Sequence, residues 1–292
     1  MKKLIEEYAK RVEGAFNEYI SDDECRQRII YDSVAYSLNA GGKRLRPVIM
    51  LLVAELLGVD EQEVLPFACA IEMIHTYSLI HDDLPCMDND DMRRGKPTNH
   101  KVYGEAIAVL AGDALLNMAC EVVTGAIYKT DAGTVLKAIS ALYKASGIMG
   151  MIGGQIIDIE SEGKNIDEET LKTLHLLKTG ALIRASGEIP CIMAGCDEAE
   201  KTAVISFLNN LGIAFQIRDD LLDVYGDSAS LGKNTGSDEA NNKVTYVTLY
   251  GREEAERLVM EYTNAAKSSM GIFGEKAYKL CRLADYLTER NS

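Results

Sequence analysis

Residues 75–96 read HTYSLIHDDLPCMDNDDMRRGK, and the segment leading into them, FACAIEMIHTYSLI (67–80), is almost wholly apolar. Five carboxylates (Asp82, Asp83, Asp88, Asp90 and Asp91) fall within ten residues, and Arg93, Arg94 and Lys96 follow at once. Acids at the end of a buried apolar helix repel one another and carry a large desolvation cost unless cations neutralise them. A run of acids alone describes a solvated face; the apolar lead-in argues against that here. A second cluster, Asp219-Asp220-Leu221-Leu222-Asp223, follows another apolar run, FLNNLGIAFQIR (207–218). Two acidic clusters on two apolar segments predict one cavity with metal ions held between its walls.

Working outward, 292 residues bury a substantial core, and length alone permits one or two domains. A net charge of −14 argues against a nucleic-acid surface and disfavours an anionic membrane. Seven cysteines with no C-x-x-C pair read as free thiols of a reducing compartment. The N-terminal MKKLIEEYAKRVEGAF is amphipathic and acidic, unlike a signal peptide. VIMLLVAELLGV is broken by Glu55 and no apolar run reaches 18 residues, so no membrane span is expected and the protein is expected to be cytoplasmic. Apolar residues recur at three- and four-residue spacing, which predicts helices over 2–20, 24–39, 46–57, 61–83, 101–128, 132–160, 167–186, 197–225, 252–269 and 274–290. With no Gly/Ser/Pro-rich linker, residues 1–292 read as a single large all-α bundle around a deep central cavity. Helices 61–83, 101–128 and 197–225, apolar nearly all round, suit its interior.

Several motifs sit on this frame. Gly41-Gly42-Lys43-Arg44-Leu45-Arg46-Pro47 precedes an apolar helix. Free amides at a helix start, with Lys43 and Arg46, suit a phosphate; an ordinary turn with solvated cations fits as well. On the central helix His75, Ser78 and Asp82 share a face. Pro85 helps end the helix so that Asp88 can fold back beside Asp82, and Asp82, Asp83 and Asp88 then offer the hard oxygens Mg²⁺ favours. Arg93 and Arg94 either pair with these acids or receive a diphosphate. Glu72 and His75 form the Glu-x-x-His pair of di-iron bundles, but no second copy exists, so His75 reads as a core histidine or phosphate donor. In GMIGGQIIDIE (150–160) the glycines allow close helix packing, with Gln155 and Asp158 possible cavity residues. Lys178-Thr179-Gly180 interrupts a helical run and frees a backbone carbonyl. Asp219, Asp223 and Gln216 share one helix face, while residues 226–251 form a long polar lid-like loop carrying Lys233 and Lys243. Residues 252–292 read as two peripheral amphipathic helices.

Asp82-Asp83-x-x-x-x-Asp88 followed by Arg93-Arg94-Gly95, together with Asp219-Asp220-x-x-Asp223, resembles the short-chain trans-polyprenyl diphosphate synthases, most closely the bacterial farnesyl type. The match extends through GGKRLRP, KPTNHKVYGEAIAVLAGDALL, GGQ, KTG and the lysines up to Thr245-Tyr246, spanning roughly residues 30–250 in order. The resemblance implies a homodimeric helical enzyme with three Mg²⁺ ions per site and Mn²⁺ as a substitute. By that similarity Asp82 and Asp88, supported by Asp83, and Asp219 and Asp223 hold metals bridging an allylic diphosphate (dimethylallyl or geranyl), and Asp220 belongs to the same catalytic motif. Arg93, Lys178 and Lys233 would contact that diphosphate. Lys43, Arg46, His75 and Arg94 would hold isopentenyl diphosphate, and the Thr179 carbonyl and Gln216 amide would face the carbocation.

Chain length is read from the same helix. Tyr77 sits about 7.5 Å before Asp82 along the axis and Ser78 about 6 Å; the Tyr77 ring is expected to be a floor that stops growth near fifteen carbons, as the resemblance to bacterial-type farnesyl synthases implies, or else a packing residue with other walls setting the length. The expected product is farnesyl diphosphate, with geranylgeranyl or geranyl diphosphate as alternatives. A class I terpene cyclase pairs unlike metal motifs and needs no isopentenyl site. A non-catalytic partner subunit loses aspartates that this sequence keeps.

Overall fold

In a computed structural model, residues 1–20, 25–225 and 244–289 are described. They are all-α, as the helical spacing predicts, apart from one two-stranded ribbon. In order come α1 (Lys2–Tyr19), α2 (Arg28–Leu38), α3 (Leu45–Leu57), α4 (Glu61–Asp82), β1 (Met92–Arg93), β2 (Lys96–Pro97), α5 (Asn99–Tyr103), α6 (Glu105–Gly125) and α7 (Ala132–Ser146). Then follow α8 (Met151–Ser161), α9 (Glu168–Lys178), α10 (Gly180–Ala194), α11 (Glu198–Tyr225), α12 (Tyr246–Tyr250), α13 (Arg252–Ser269), a 3-10 segment Met270–Ala277 and α14 (Tyr278–Thr288). Contacts group the chain into two compact units: Lys2–Leu51 with Glu61–Lys129, and Leu52–Asp60 with Thr130–Ser292 and Met1. Each draws on separated stretches of chain, so no linker composition marks the division.

In the first unit α4 packs against α6, α1 and α2. Its residues from Phe67 to Ile74 are buried on every side, as its all-round apolar sequence requires. The approach of α6 depends on Gly112, because a Cβ there would lie 2.1 Å from His81 Nε2, which sits 3.0 Å from the Val109 carbonyl. This close contact fixes the last turn of α4, immediately before the aspartates. The reading of 101–128 as one helix fails at Gly104, whose φ of 84° ends α5 and starts α6.

In the second unit α11 packs along α13 and beside α10, which in turn packs on α7. Leu171, Ile213, Ile217, Leu221, Tyr246, Val247, Ala255 and Val259 form one buried cluster. Complete burial of side chains such as Ile217 stabilises by about 1.5–3 kcal/mol each. The segment after 252 is therefore not peripheral: α13 buries Ala255, Val259, Thr263 and Ala266 and braces the helix that bears the second acidic cluster. Helix starts follow side-chain caps. Asp131 accepts from Thr134 N, Asp167 from Thr170 N, and Asp197 and Glu200 form a reciprocal box. The predicted helix 132–160 breaks at residues 147–150, whereas 167–186 breaks at Thr179 and resumes to Ala194 through Pro190.

By length and composition alone Glu61–Asp82, Glu105–Gly125 and residues 132–161 are apolar enough to cross a membrane, although none is an uninterrupted apolar run. In the first of these, 72% of the apolar window is buried within the fold, and the last is broken by the turn at 147–150.

Candidate active site

The first unit gathers cations around the end of α4. After Asp82 the chain doubles back, with the Asp88 amide donating to the Asp82 carbonyl at 2.8 Å, as the position of Pro85 predicts. Asp83 is 3% exposed, and both its oxygens accept from Arg93 Nε, at 2.7 and 2.9 Å, with Arg93 Nη2 2.6 Å away. Burial pushes the Asp83 carboxyl above the usual carboxylate range, with Arg93 opposing the shift. The β1–β2 ribbon aims the two arginines apart. Its two-residue turn, Arg94-Gly95, has φ of 53° and 74°, the left-handed pair of a tight hairpin. Arg94 donates to the Gly41 carbonyl, and its guanidinium lies so close to Gly42 that a Cβ there would sit 2.7 Å from Cζ. Here the glycine pair serves close approach as well as turning.

Arg44, whose role its place in the sequence does not reveal, anchors this loop. It is 2% exposed and pairs with Glu13 at 3.0 Å and Glu72 at 3.1 Å, and it also donates to the Leu38 carbonyl. Its φ of 48° is unusual for a residue with a side chain, and these contacts hold it there. Arg46 Nε is buried with no hydrogen-bond partner. Burial lowers the Arg46 pKa to about 10, with Glu72 opposing and Arg94 contributing. His75 is held well below its ordinary value, first by burial and then by Arg46, Arg94, Arg93 and Arg44, so its imidazole is neutral at neutral pH. Lys43 is exposed. Tyr77 is 6% exposed with its hydroxyl buried and unpartnered, and its ring meets the His81 ring edge-on at 5.7 Å. Burial, then Asp82, pushes its phenol up to about 12. Ser78 Oγ donates to the His75 carbonyl at 2.9 Å, which accounts for that hydroxyl within the helix.

The second unit brings Gln216, Asp219, Asp220 and Asp223 onto the last turns of α11, beside Lys178 and Thr179 at the α9–α10 junction. Thr179 Oγ1 donates to Gln216 Oε1 at 3.3 Å, and Gln216 Nε2 donates to Asp220 Oδ1 at 3.0 Å. Asp223 is 3% exposed, whereas Asp219 is half-buried. Lys178 Nζ donates to Asp158 at 2.5 Å, which gives Asp158 a partner that spacing along the chain did not reveal. Lys233 and Lys243 lie outside the described residues. Gly154 carries the junction of α8 and α9, since a Cβ there would lie 2.1 Å from the Lys178 backbone nitrogen. Backbone cannot swing aside, so Gly154→Ala is expected to lose about 1–3 kcal/mol by overpacking and to displace Lys178. Urea unfolding of the purified variant checks this; a change below about 0.5 kcal/mol would contradict it.

The profile of the polyprenyl synthetase family matches residues 27–280. The chain belongs to that family. A geranylgeranyl diphosphate synthase of Cyanophora paradoxa is 45% identical over 90% of this chain and 88% of its own. A farnesyl diphosphate synthase of Geobacillus stearothermophilus is 45% identical over 91% and 90%. The solved structure of an FPP/GFPP synthase from Zymomonas mobilis, 37% identical, superposes with a TM-score of 0.88 over 98% of both chains. This polyprenyl synthetase is accordingly a short-chain prenyl diphosphate synthase and a prenyltransferase of isoprenoid biosynthesis. Equally similar relatives carry different product names. Members of the family use isopentenyl and allylic diphosphates and bind diphosphate through a divalent metal.

The donors of this chain fit such a metal. Among the described residues no three His, Cys, Asp or Glu side chains converge as a ready-made cage. Mg²⁺ rarely uses one, taking one or two carboxylates with waters and phosphate oxygens instead. Asp82 and Asp88, joined by the Asp88 amide, and Asp219 and Asp223, one turn apart, supply hard oxygens of that kind.

Proposed function

We propose that this prenyl synthase condenses isopentenyl diphosphate with dimethylallyl and then geranyl diphosphate to give farnesyl diphosphate and pyrophosphate, with residues 1–292 acting as one catalytic domain. The observation that carries the reading is the cation cluster of the first unit. Arg44 and Arg93 have carboxylate partners, yet Arg46 presents a buried, unpartnered Nε beside Arg94 and a neutral His75. Glu72 is shared among Arg44, Arg46 and Arg94, so the cluster keeps an excess of positive charge that calls for a further anion, and a diphosphate supplies it. In this reading Lys43, Arg46, Arg94 and His75 hold the isopentenyl diphosphate. Arg93, Lys178 and Lys233 contact the allylic one, and Lys243 is a further substrate-binding residue of this reading.

The allylic C–O bond breaks with its electron pair leaving on the diphosphate. The isopentenyl double bond then attacks the allylic cation to form the new C–C bond, and a proton passes to the departed diphosphate. Three Mg²⁺ ions, or Mn²⁺ in their place, held by Asp82 and Asp88, with Asp83 in support through its pair with Arg93, and by Asp219 and Asp223, would draw off the charge that grows on the leaving group. Thr179, through its carbonyl, and Gln216 face the cation. No protein carboxylate acts as the base.

A homodimer is part of the proposal, supported by apolar residues such as Val109 and Leu110 on the exposed face of α6. A cytoplasmic location is supported by seven free thiols.

Tyr77 supports the fifteen-carbon product. Its bulky ring is buried five residues, about 7.5 Å, before Asp82 along the helix axis, where it would block the growing chain. Tyr77→Ala is expected to shift the main product to twenty carbons or more. Chromatography of dephosphorylated products checks it, and an unchanged distribution would remove Tyr77 as the floor. Geranylgeranyl diphosphate is the second reading, favoured by the geranylgeranyl synthase of Cyanophora paradoxa, which matches this chain as closely as the farnesyl enzyme does.

A further inference from the structure

A glutamine amide steadies a cation only with its oxygen turned toward it, and an unrestrained amide turns easily about its last torsion. In this chain the Gln216 amide is held at both ends, by Thr179 Oγ1 at 3.3 Å and by Asp220 Oδ1 at 3.0 Å. An ionised carboxylate only accepts, so Asp220 dictates which end of the amide is NH₂. Its other oxygen accepts from the Tyr246 backbone N–H at 3.0 Å, and the side chain is 2% exposed. Tyr246 is itself immobilised. Its ring stacks on His175 at 5.6 Å and on Tyr250 at 6.3 Å, and the Thr245–Thr248 capping box secures the start of α12. All these groups belong to the second unit.

We propose that Asp220 is a positioning residue, which orients the Gln216 amide and is braced by the Tyr246 backbone, and is not a metal ligand. The proposal rests on the reading of Gln216 as the group facing the cation, and deepens it. The middle of the three aspartates then differs in kind from its neighbours: Asp219 works outward on the metal, and Asp220 works inward on the protein.

Steady-state kinetics of the full chain separate the two roles. Asparagine at position 220 has one acceptor oxygen for two donors. Asp220→Asn is therefore expected to lower kcat about tenfold to a hundredfold, with the allylic KM and the Mg²⁺ half-saturation within about twofold of wild type. Asp219→Asn, run alongside, raises the Mg²⁺ half-saturation severalfold. Because Asp220 acts through Gln216, the Gln216→Ala/Asp220→Asn double variant should be no slower than Gln216→Ala alone. A severalfold rise in Mg²⁺ half-saturation for Asp220→Asn, or fully additive losses, overturns the positioning role. Normal turnover by Gln216→Ala overturns the underlying reading of Gln216 instead, and the role of Asp220 with it. Should Asp220→Asn not fold, Thr245→Val loosens the start of α12 without touching α11; it should lower kcat non-additively with Gln216→Ala, and an unchanged kcat counts against the proposal.

Discussion

Asp82→Asn and Asp219→Asn are each expected to lower turnover by about 10²–10³, the usual cost of removing one group that stabilises charge as it develops. Both changes keep shape and volume, and both residues are only half-buried, so the folded fraction and the melting transition should stay close to wild type. The loss falls on a proposed step in which negative charge builds up on a leaving diphosphate, so it should appear in kcat with either allylic primer. Radiolabel transfer from isopentenyl diphosphate checks it, and near-normal turnover by either purified variant would remove the metal role assigned to that aspartate.

Arg44→Ala should instead strike stability. The change strips Glu72, 1% exposed, of its hydrogen-bonded charge partner and leaves its buried carboxylate with only the through-space charges of Arg46 and Arg94 in the core of the first unit. Breaking one side of such a buried pair costs about 3–5 kcal/mol, and the contacts that hold the left-handed turn at residue 44 go with it. Denaturant unfolding measures the loss; a shift below about 1 kcal/mol would show that Glu72 needs no counter-charge. Glu72→Gln in the Arg44→Ala background should restore part of the stability, since a neutral amide is far less costly to bury than an unpaired charge.

The two arginines of GGKRLRP show what could be read ahead of the structure. That the loop turns and offers cations follows from its glycines and its place before a helix. Which arginine is structural does not, because the partners of Arg44, Glu13 and Glu72, are distant in sequence. Asp158 escaped for the same reason: its partner Lys178 stands 20 residues away on the next helix. The end of α4 was legible, since an apolar run, a pair of acids and Pro85 signal it locally. So was the break at Thr179-Gly180, which the structure places between α9 and α10. The ribbon at Arg94-Gly95 was not, because strands of two residues leave no alternation to detect. Helix α10 runs past its predicted end at residue 186, through Gly187 and Pro190, residue types that disfavour a helix interior. Yet Gly187 is where α10 meets Leu208 and Val204 most closely, and tertiary packing overrides the local signal.

The most direct trial is to supply the purified chain with labelled isopentenyl diphosphate, geranyl diphosphate and Mg²⁺, and to size what it makes. A fifteen-carbon allylic diphosphate, formed with one pyrophosphate per new C–C bond and abolished by a chelator, is the predicted result. No elongation, or release of a cyclised hydrocarbon with the isopentenyl label untouched, would contradict the account at its root.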